Sequence, residues 1–514
     1  MRRIITFLSV IALALVGAGA FATTNATAIG TWTVPGTAFS PAPTSDPTMA
    51  IATAPDGRVW IAYSTGSGVA VTSNATGTWS TPVQFSGNAG LKAPSIGIAA
   101  NGDVAVAWLD TTSSPRTAQL ARYVGGVWQP TITVSGAGGA YEDVRVAVTP
   151  SGRIVVMYDQ LPGQSAVYAT IGSMTGTFAT PITVATFPPT TEFDLASDGS
   201  GRVTMVWAQN TNLTGSVWTS TIEAGASTAT TPVQISPSGA HTRLPMVRTN
   251  ASGDTYVLMA TANGSGSWDL RIARRAAGSA SFGAAAVPQS GGSPVIAPFY
   301  DVLVAPDGSA TVTWTVDTGG SYTLHAAWIA TDGTIGATID AATAKRIFVP
   351  GLGRLTDGTI VLTWRGDNQS YLSQFWSTTL APGSASVATP TLVVPADLSE
   401  RNWSRPVIDS AGSVWVVQRA RYLAGYTDMP TCCGMPPMQI PYYSNEVSAL
   451  TTGNGVAVVP TTTTTTTSTS TTSMTVAPTL RDGAESPTTS VVADGPTSTT
   501  TPVDGDPVMP AYTG

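Results

Sequence analysis

The side chains best suited to chemistry in this 514-residue sequence are carboxylates at the ends of short apolar segments. Asp110, Asp159 and Asp367 each stand at such a position, and we predict them as ligand-binding residues. Two carboxylates about 5 to 9 Å apart can cleave a glycosidic bond, one as the acid and the other as the nucleophile or base. Since the sequence does not fix their separation, a glycosidase or polysaccharide lyase is one hypothesis.

A second group of residues concentrates arginine towards the end of the apolar part of the chain. Its members are Arg365, Arg401, Trp403, Arg405, Arg419 and Arg421. Guanidinium groups bind carboxylate or sulfate oxygens through paired hydrogen bonds, and aromatic faces pack on sugar rings. The group predicts a binding site for an acidic glycan or a peptide carboxylate. Ordinary exposed arginines are the alternative interpretation.

The segment MPTCCGMPPMQI contains the two cysteines of the chain, Cys432 and Cys433. Neighbouring Cα atoms are about 3.8 Å apart, below the usual disulfide range of about 4.4 to 6.8 Å, so this candidate disulfide would be strained. Sulfur ligands also suit Cu(I), but a strained ring or two idle thiols is the favoured interpretation. We predict no cofactor and no metal, because the only histidines, His241 and His325, are far apart in sequence.

These residues have to be positioned by a repeat that runs through most of the chain. Its copies include APDGRVWIAY, AANGDVAVAW and APDGSATVTW, and their glycines are 45 to 55 residues apart. The eight predicted turn glycines are Gly57, Gly102, Gly152, Gly199, Gly253, Gly308, Gly358 and Gly412. A period near fifty in a β-rich sequence predicts the blades of a β-propeller.

The residue before the glycine is Asp, Asn or Ser in seven of the eight copies. Such short polar side chains bond to the nearby backbone, and glycine adopts a positive φ without penalty. We therefore interpret these acids as turn residues rather than catalytic ones. The structural turns defined in this way include Asp56 with Gly57, Asn101 with Gly102, Asp307 with Gly308, and Asp357 with Gly358.

Each turn joins two apolar strands, and two more strands complete a repeat unit. In AANGDVAVAW, Val104, Val106 and Trp108 alternate with alanines, which marks a strand buried on both faces. Gly-x-aromatic segments such as GTWSTP supply the outer strands. The first of them, Gly30 to Pro35, precedes every hairpin and can complete the last blade, which favours a count of eight blades. If Gly455 to Val459 forms the outer strand of the last blade instead, a propeller of seven blades is also possible. Two β-sandwich domains are the competing architecture.

Propeller geometry places two sets of loops on the face opposite the hairpin turns, and this is the usual working face. Second strands end and first strands begin there. The polar residues at these positions are Asp110, Asp159, Gln209, Asp317, Arg365, Asp367, Arg419, Arg421, Glu142, Asp143, Glu192, His241, Arg243, Tyr300, Asp301, Arg401, Trp403 and Arg405.

The two ends of the chain differ from the repeats in composition. Residues 1–28 contain two arginines, an apolar run and then small residues, which predicts a secretory signal peptide cleaved after Ala22 or Ala28. An uncleaved anchor is the alternative. We assign residues 29–460 to the propeller and residues 461–514, rich in Thr, Ser and Pro, to a disordered stalk.

The pairing of an xGxVxVxW hairpin with a GxWxxP outer strand resembles bacterial secreted β-propeller repeat proteins, grouped loosely with the sialidase-like and NHL-like repeats. The resemblance is one of architecture, and it implies an all-β propeller of four-stranded blades. The Asp box of the sialidases, Ser-x-Asp-x-Gly-x-Thr-Trp, has no match here, which weakens a hydrolytic role.

These observations favour a secreted or cell-surface propeller for recognition or adhesion, without catalytic activity, whose partner is a glycan or a cell-surface protein. A carbohydrate-active enzyme on a sialidase-like propeller and a structural envelope protein are the alternatives. A formal net charge of -7 with scattered basic residues argues against nucleic acid as a partner. We expect a monomer with no membrane span after signal cleavage.

Overall fold

A computed structural model of the chain describes residues 29–33, 37–39, 48–75, 78–87, 93–112, 114–136, 143–160, 166–186, 189–211, 214–263, 267–288, 299–368, 372–395, 400–429 and 438–452. In these ranges every regular element is a β-strand, and the strands form eight antiparallel sheets. The predicted all-β propeller with eight blades is thereby confirmed. No helix in the same ranges is long and apolar enough to cross a membrane. The predicted signal peptide, the stalk, Cys432 and Cys433 lie outside the described residues.

Strand β1 (Thr37–Ala38) precedes the first four blades, which follow one another along the chain. Their strands are, in blade 1, β2 (Met49–Thr53), β3 (Val59–Thr65), β4 (Gly68–Ala75), β5 (Thr78–Trp79) and β6 (Val83–Ser86); in blade 2, β7 (Ser95–Ile98), β8 (Val104–Asp110), β9 (Thr117–Val124), β10 (Val127–Trp128) and β11 (Ile132–Thr133); in blade 3, β12 (Val144–Val148), β13 (Arg153–Gln160), β14 (Ala166–Ser173) and β15 (Ile182–Ala185); and in blade 4, β16 (Pro189–Ser197), β17 (Val203–Thr211), β18 (Thr214–Ile222) and β19 (Val233–Gln234).

The other four blades continue this order. Their strands are, in blade 5, β20 (Thr242–Thr249), β21 (Thr255–Ala262) and β22 (Trp268–Arg275); in blade 6, β23 (Tyr300–Val304), β24 (Ala310–Asp317), β25 (Tyr322–Ile329) and β26 (Ile339–Ala344); in blade 7, β27 (Arg346–Arg354), β28 (Ile360–Asp367), β29 (Ser373–Leu380) and β30 (Thr391–Val394); and in blade 8, β31 (Glu400–Trp403), β32 (Val407–Ile408), β33 (Val414–Met429) and β34 (Met438–Thr451). In blade 5 the bridge between Ile272 and Ala286 stands in for a fourth strand. First strands of neighbouring blades contact one another around the axis.

The eight hairpin turns share one geometry. In each, a glycine with φ between 80° and 98° donates its N–H to the carbonyl three residues earlier. In blades 1, 2, 6 and 7 the polar side chain directly before the glycine caps the turn, as when Asp56 Oδ1 accepts from Arg58 N at 2.9 Å. In blades 3, 4, 5 and 8 the capping side chain stands three residues before the glycine. In blade 4 the turn glycine is Gly201, so the assignment of Gly199 from sequence was wrong. The segment Asp-Gly-Ser-Gly offers two glycines, and Asp198 Oδ1 caps the turn by accepting from Arg202 N at 3.0 Å.

The second strand of each blade packs between its neighbours. All seven residues of β3 are buried, which agrees with the absence of charge on either face of this strand in the sequence. Trp108, Tyr158 and Trp207 lie near the ends of their second strands and are among the largest buried side chains. Each belongs to a core shared by two successive blades. Large aromatic side chains at this position therefore supply much of the apolar area that holds the ring together.

Hydrogen bonds between blades recur along the first strands, and we refer to them as the axial bonds. The donor and acceptor atoms are Val146 N and Ser95 Oγ at 3.0 Å, Val247 N and Asp194 Oδ2 at 3.0 Å, and Leu352 N and Asp301 Oδ2 at 3.1 Å. Each acceptor stands seven residues before the turn glycine of its blade, and each donor stands six residues before that of the next. Edge N–H groups that have no further strand to pair with are satisfied in this way.

The amino-terminal segment closes the ring, as the repeat pattern predicted. Strand β1 pairs with β34 in blade 8, and Trp32 forms a bridge with Thr452. Trp32 also reaches blade 7, where its Nε1 donates to Ser377 Oγ at 3.0 Å and its ring meets Phe375 edge-on at 5.6 Å. The alternative outer strand, residues 455–459, lies outside the described residues.

Replacing Trp32 by Ala should lower the free energy of unfolding by about 2 kcal/mol, because a half-buried ring contact and a hydrogen bond at the closure are lost. Denaturant titration followed by circular dichroism measures the change. Val127→Ala, on an exposed outer strand, is the control and should change it by less than about 0.5 kcal/mol. Equal stability of the two variants would show that this segment does not hold the ring closed.

Candidate functional site

Arginine–carboxylate pairs follow the first strands near the propeller axis. In one of them, Arg405 Nη2 donates to both carboxylate oxygens of Asp301 at 2.8 Å, which joins blade 8 to blade 6. Asp301 also accepts from Val302 N at 3.0 Å and from Leu352 N through its axial bond. Only 2% of Asp301 is exposed, so its charge is balanced by Arg405 rather than by water.

Gly351 of blade 7 makes room for this pair. It stands seven residues before its turn glycine, the same position that Asp301 and Arg405 occupy in their blades. A Cβ atom on Gly351 would lie 2.5 Å from Pro406 Cδ and 2.8 Å from Arg405 Cα. A larger residue would therefore displace the backbone that carries Arg405.

Two further pairs lie on blades 3, 4 and 5. Arg248 Nη1 is 2.8 Å from Asp194 Oδ2, and Arg145 donates to the fully buried Asp143. Burial is the main cause that lowers the pKa of Arg405, and the neighbouring Arg248 adds to it. Each of these three cations has its own carboxylate, so together the pairs leave no net charge near the axis.

At the start of the first strands, on the face away from the hairpin turns, Glu192 holds Arg243. Arg243 Nε donates to Glu192 Oε1 at 3.0 Å, and Nη2 donates to the same oxygen at 2.5 Å. The arginine side chain is 39% exposed and the glutamate side chain only 9%. A nearly buried carboxylate therefore fixes a guanidinium group that solvent can still reach.

Leu244, next to Arg243, has a backbone conformation that is rare for a residue with a side chain. Its φ is 55°, and it precedes Pro245, a position where α-region dihedrals are disfavoured. Glu192 Oε2 accepts from Leu244 N at 2.7 Å, and the Tyr300 hydroxyl donates to Leu244 O. Blades 4 and 6 thus hold a strained segment of blade 5. Strain of this kind, about 1 to 3 kcal/mol, is concentrated at functional sites.

Burial shifts the pKa of two more residues at this position. It raises the pKa of Tyr300 well above its ordinary value, with Glu192 adding to the effect. It lowers the pKa of His241, helped by Arg243 and opposed by Glu192. The His241 ring packs against Trp268 with centroids 5.2 Å apart, and its Nδ1 is buried without a hydrogen-bond partner. We refer to Glu192, His241, Arg243, Leu244 and Tyr300 as the mouth cluster.

The three acids predicted as ligand-binding residues, which the alternative enzyme hypothesis would also use, have structural bonds. Asp159 is fully buried, and its Oδ1 accepts from Asp143 N at 2.8 Å. Asp367 is 2% exposed, and its Oδ1 accepts a hydrogen bond from Arg365 Nε at 3.1 Å. Asp110 Oδ1 accepts hydrogen bonds from the backbone N–H and the hydroxyl of Thr112. Among the described residues, no three His, Cys, Asp or Glu side chains are grouped as metal ligands.

The predicted arginine group is divided between different surroundings. Arg405 is paired with Asp301, and Arg365 is paired with Asp367 while its guanidinium lies 4.8 Å from the centre of the Phe348 ring. Both side chains are mostly buried, with 16% and 15% exposed. These two arginines therefore serve the packing of blades 6, 7 and 8.

The other members of that group lie on the hairpin of β31 and β33. Arg421 pairs in register with Glu400, and Arg401 pairs with Ala420. Arg419 is buried. The side chains of Arg401, Trp403 and Arg421 lie outside the described residues. The register therefore places only the backbone of these four residues in blade 8.

Sequence reasoning placed the members of the mouth cluster other than Leu244 on the working face, but it did not bring them together. It missed the strain at Leu244 and the pairing of Arg243 with Glu192 across blades. The available signal was the spacing of 51 residues between these two side chains, which is one repeat period. Residues one period apart stand side by side in neighbouring blades.

Neither a protein-family model nor a curated protein sequence matches the chain. Similar solved structures include a protein of unknown function from Dyadobacter fermentans DSM 18053, with 14% identity, 56% of this chain and 93% of that chain covered, and a TM-score of 0.36. An ulvan lyase of polysaccharide lyase family PL25 has 11% identity, 68% and 94% coverage and a TM-score of 0.43. The fucose-recognising, six-bladed lectin of Aleuria aurantia has 12% identity, 57% and 95% coverage and a TM-score of 0.33.

Similarities at these identities and TM-scores carry no functional inference. The sheets, the turns and the axial bonds define the protein as an eight-bladed β-propeller. What it does has to follow from its own side chains.

Replacing Arg405 by Met should lower the free energy of unfolding by about 3 to 5 kcal/mol, because the buried carboxylate of Asp301 loses its counter-charge. The double variant D301N/R405M should recover part of this loss, since a neutral amide needs no cation. A double-mutant cycle by denaturant titration measures the coupling between the two residues.

The pair of Asp56 and Arg58 supplies the control for that cycle, because its atoms are 3.7 Å apart and both side chains are more exposed. Arg58→Met should cost less than about 1 kcal/mol. Similar losses for R58M and R405M would mean that the pair near the axis contributes no more than a surface pair.

The protein should lose stability as the pH falls below about 6.5, the ordinary pKa of histidine. Burial lowers the pKa of His241 and of His325 in the folded state. The unfolded chain therefore takes up protons first, and stability present at neutral pH is lost as the pH falls through the folded pKa values. The variant H241Q/H325Q should have a melting temperature that depends less on pH between about 7.5 and 5. An unchanged slope would assign the effect to other groups.

Proposed function

We propose that the protein is an exported recognition propeller without catalytic activity, which binds a hydroxyl-rich ligand such as a glycan at the mouth cluster. Export is inferred from the sequence of residues 1–28. The observation that carries the binding proposal is the pair of Arg243 and Glu192, in which a fixed guanidinium is still exposed. A donor that is already fixed loses little conformational entropy when a ligand binds.

The charge balance of the mouth favours hydroxyl and carbonyl oxygens as partners. Arg243 has its own carboxylate, and the cations deeper along the axis are balanced as well. A paired guanidinium offers directed N–H donors without an excess of positive charge. The rings of His241 and Trp268 supply apolar surface close by, which suits the C–H face of a sugar.

The buried acids of this face support binding rather than hydrolysis. A glycosidase needs two carboxyl groups that flank one glycosidic bond. Asp159, Asp301 and Asp367 are at most 2% exposed and are bonded to backbone N–H groups or to arginines. Carboxylates held in this way have a structural role.

Arg243→Ala should weaken glycan binding at least about tenfold, because the fixed donor is lost. Glu192→Gln should weaken it less, since the arginine remains but is held less firmly. A glycan array with the purified chain identifies the ligand, and calorimetry with that glycan compares the variants. Arg116→Ala, an exposed arginine on the same face in the loop between β8 and β9, is the control and should bind like the unmodified protein.

Three results would contradict the proposal. The first is unchanged affinity of an R243A variant that melts at the same temperature as the unmodified protein, and the second is no binding on the array at all. The third is the appearance of new reducing ends or unsaturated products from a bound glycan, which would make the protein an enzyme.

A further inference from the structure

A crevice of about 380 Å³ lies between blades 5 and 6 on the face of the hairpin turns, opposite the mouth cluster. Its volume falls within the range of about 300 to 1,000 Å³ that is usual for small-ligand sites. The lining residues that matter here are Ile272, Arg274, Ser281, Ala284, Asp332 and Ile335. None of them belongs to the mouth cluster or to the pairs near the axis.

The crevice exists because the outer segment of blade 5 is built from small residues. Residues 278–287 read GSASFGAAAV. The segment is joined to β22 by the bridge between Ile272 and Ala286 and by a hydrogen bond from Gly283 N to Arg274 O at 2.8 Å. Its aromatic residue, Phe282, packs under the guanidinium of Arg275. Glycine has no side chain, and those of alanine and serine are small, so the space beside blade 6 stays unfilled.

The polar groups of the crevice are held in place before any ligand binds. Arg274 Nη2 donates to Asp254 Oδ1 at 2.8 Å, and the guanidinium lies 5.8 Å from the centre of the Tyr256 ring. On the other wall, Asp332 Oδ1 accepts from Thr334 N at 2.8 Å. Hydrogen bonds from Thr334 are the main cause that lowers the pKa of Asp332, and Arg274 contributes in the same direction. Asp332 therefore presents an ionised carboxylate, and the residue is exposed to solvent.

The charges of the crevice restrict the class of ligand. Among the residues that line the crevice, Arg274 is the one cation and Asp332 is the one anion, so the lining carries no net charge. A carboxylate or sulfate ligand would be repelled by Asp332, and an ammonium ligand would be repelled by Arg274. A neutral ligand with several hydroxyl groups satisfies both side chains, because an ionised carboxylate accepts from hydroxyl groups and a guanidinium donates to their oxygens.

We propose that this crevice binds one neutral, hexose-sized sugar unit. Asp332 accepts hydrogen bonds from neighbouring hydroxyls of the ring, and Arg274 donates to a ring or hydroxyl oxygen. Ile272 and Ile335 contact its C–H groups. The site is separate from the mouth cluster and does not require the function proposed above.

The test uses the purified full chain and a set of neutral methyl hexosides, with saturation-transfer NMR as the readout and methyl glucuronide as the acidic comparison. Weak binding is expected, because one sugar ring makes few contacts. Ala284→Trp fills the crevice and should abolish saturation transfer to the hexoside. Ala280→Trp, on an exposed residue of the same segment outside the lining, should leave it unchanged. Asp332→Asn should weaken binding about tenfold, since an amide is the poorer acceptor.

All variants should melt at the temperature of the unmodified protein, because residues 280, 284 and 332 are exposed. Arg116→Ala, on an exposed residue outside the crevice and outside the mouth cluster, should keep hexoside binding. The proposal would be overturned if no neutral hexoside binds, if methyl glucuronide binds more tightly than the neutral sugars, or if A284W binds like A280W.

Discussion

The edge of each first strand that faces the propeller axis sets a constraint on which much of the rest depends. No further strand pairs with the N–H groups on this edge, and a buried N–H group without an acceptor costs about 1 to 3 kcal/mol. Ser95, Asp194 and Asp301 supply that acceptor to the blade that follows. The side chains at these positions are therefore used to join two blades and are not available to bind a ligand.

Serine fills this role without an electrostatic cost, whereas aspartate brings a negative charge into a place with little water. A buried carboxylate is tolerated when a cation accompanies it. Arg248 pairs with Asp194 from the next blade, and Arg405 pairs with Asp301 from two blades further on. Because the pair of Arg405 and Asp301 spans blade 7, the residue of blade 7 at this position must have no side chain. That residue is Gly351. Arg248 and Arg405 thus follow from the choice of aspartate as the acceptor.

The fold could be predicted from the sequence because its signals are local: a turn glycine, a polar cap before it, and alternation in the strand after it. Where two glycines competed, at Gly199 and Gly201, local pattern alone gave the wrong one. The mouth cluster was harder, since Glu192 and Arg243 are 51 residues apart and meet through the packing of neighbouring blades. The separation of 104 residues between Asp301 and Arg405 spans two repeats, so no nearest-neighbour rule finds it.

Repetition gives every blade the same positions, so a site has to arise where one blade departs from the others. Blade 5 departs most: a residue with a positive φ lies in its first strand, and a single bridge replaces its fourth. Bonds from both neighbours compensate, because Glu192 and Tyr300 hold Leu244, and the Tyr256 hydroxyl donates to Gly308 O at 2.8 Å. The regular blades therefore act as the rigid frame in which one irregular blade opens a crevice on the face of the hairpin turns and holds the strained part of the mouth cluster on the other face.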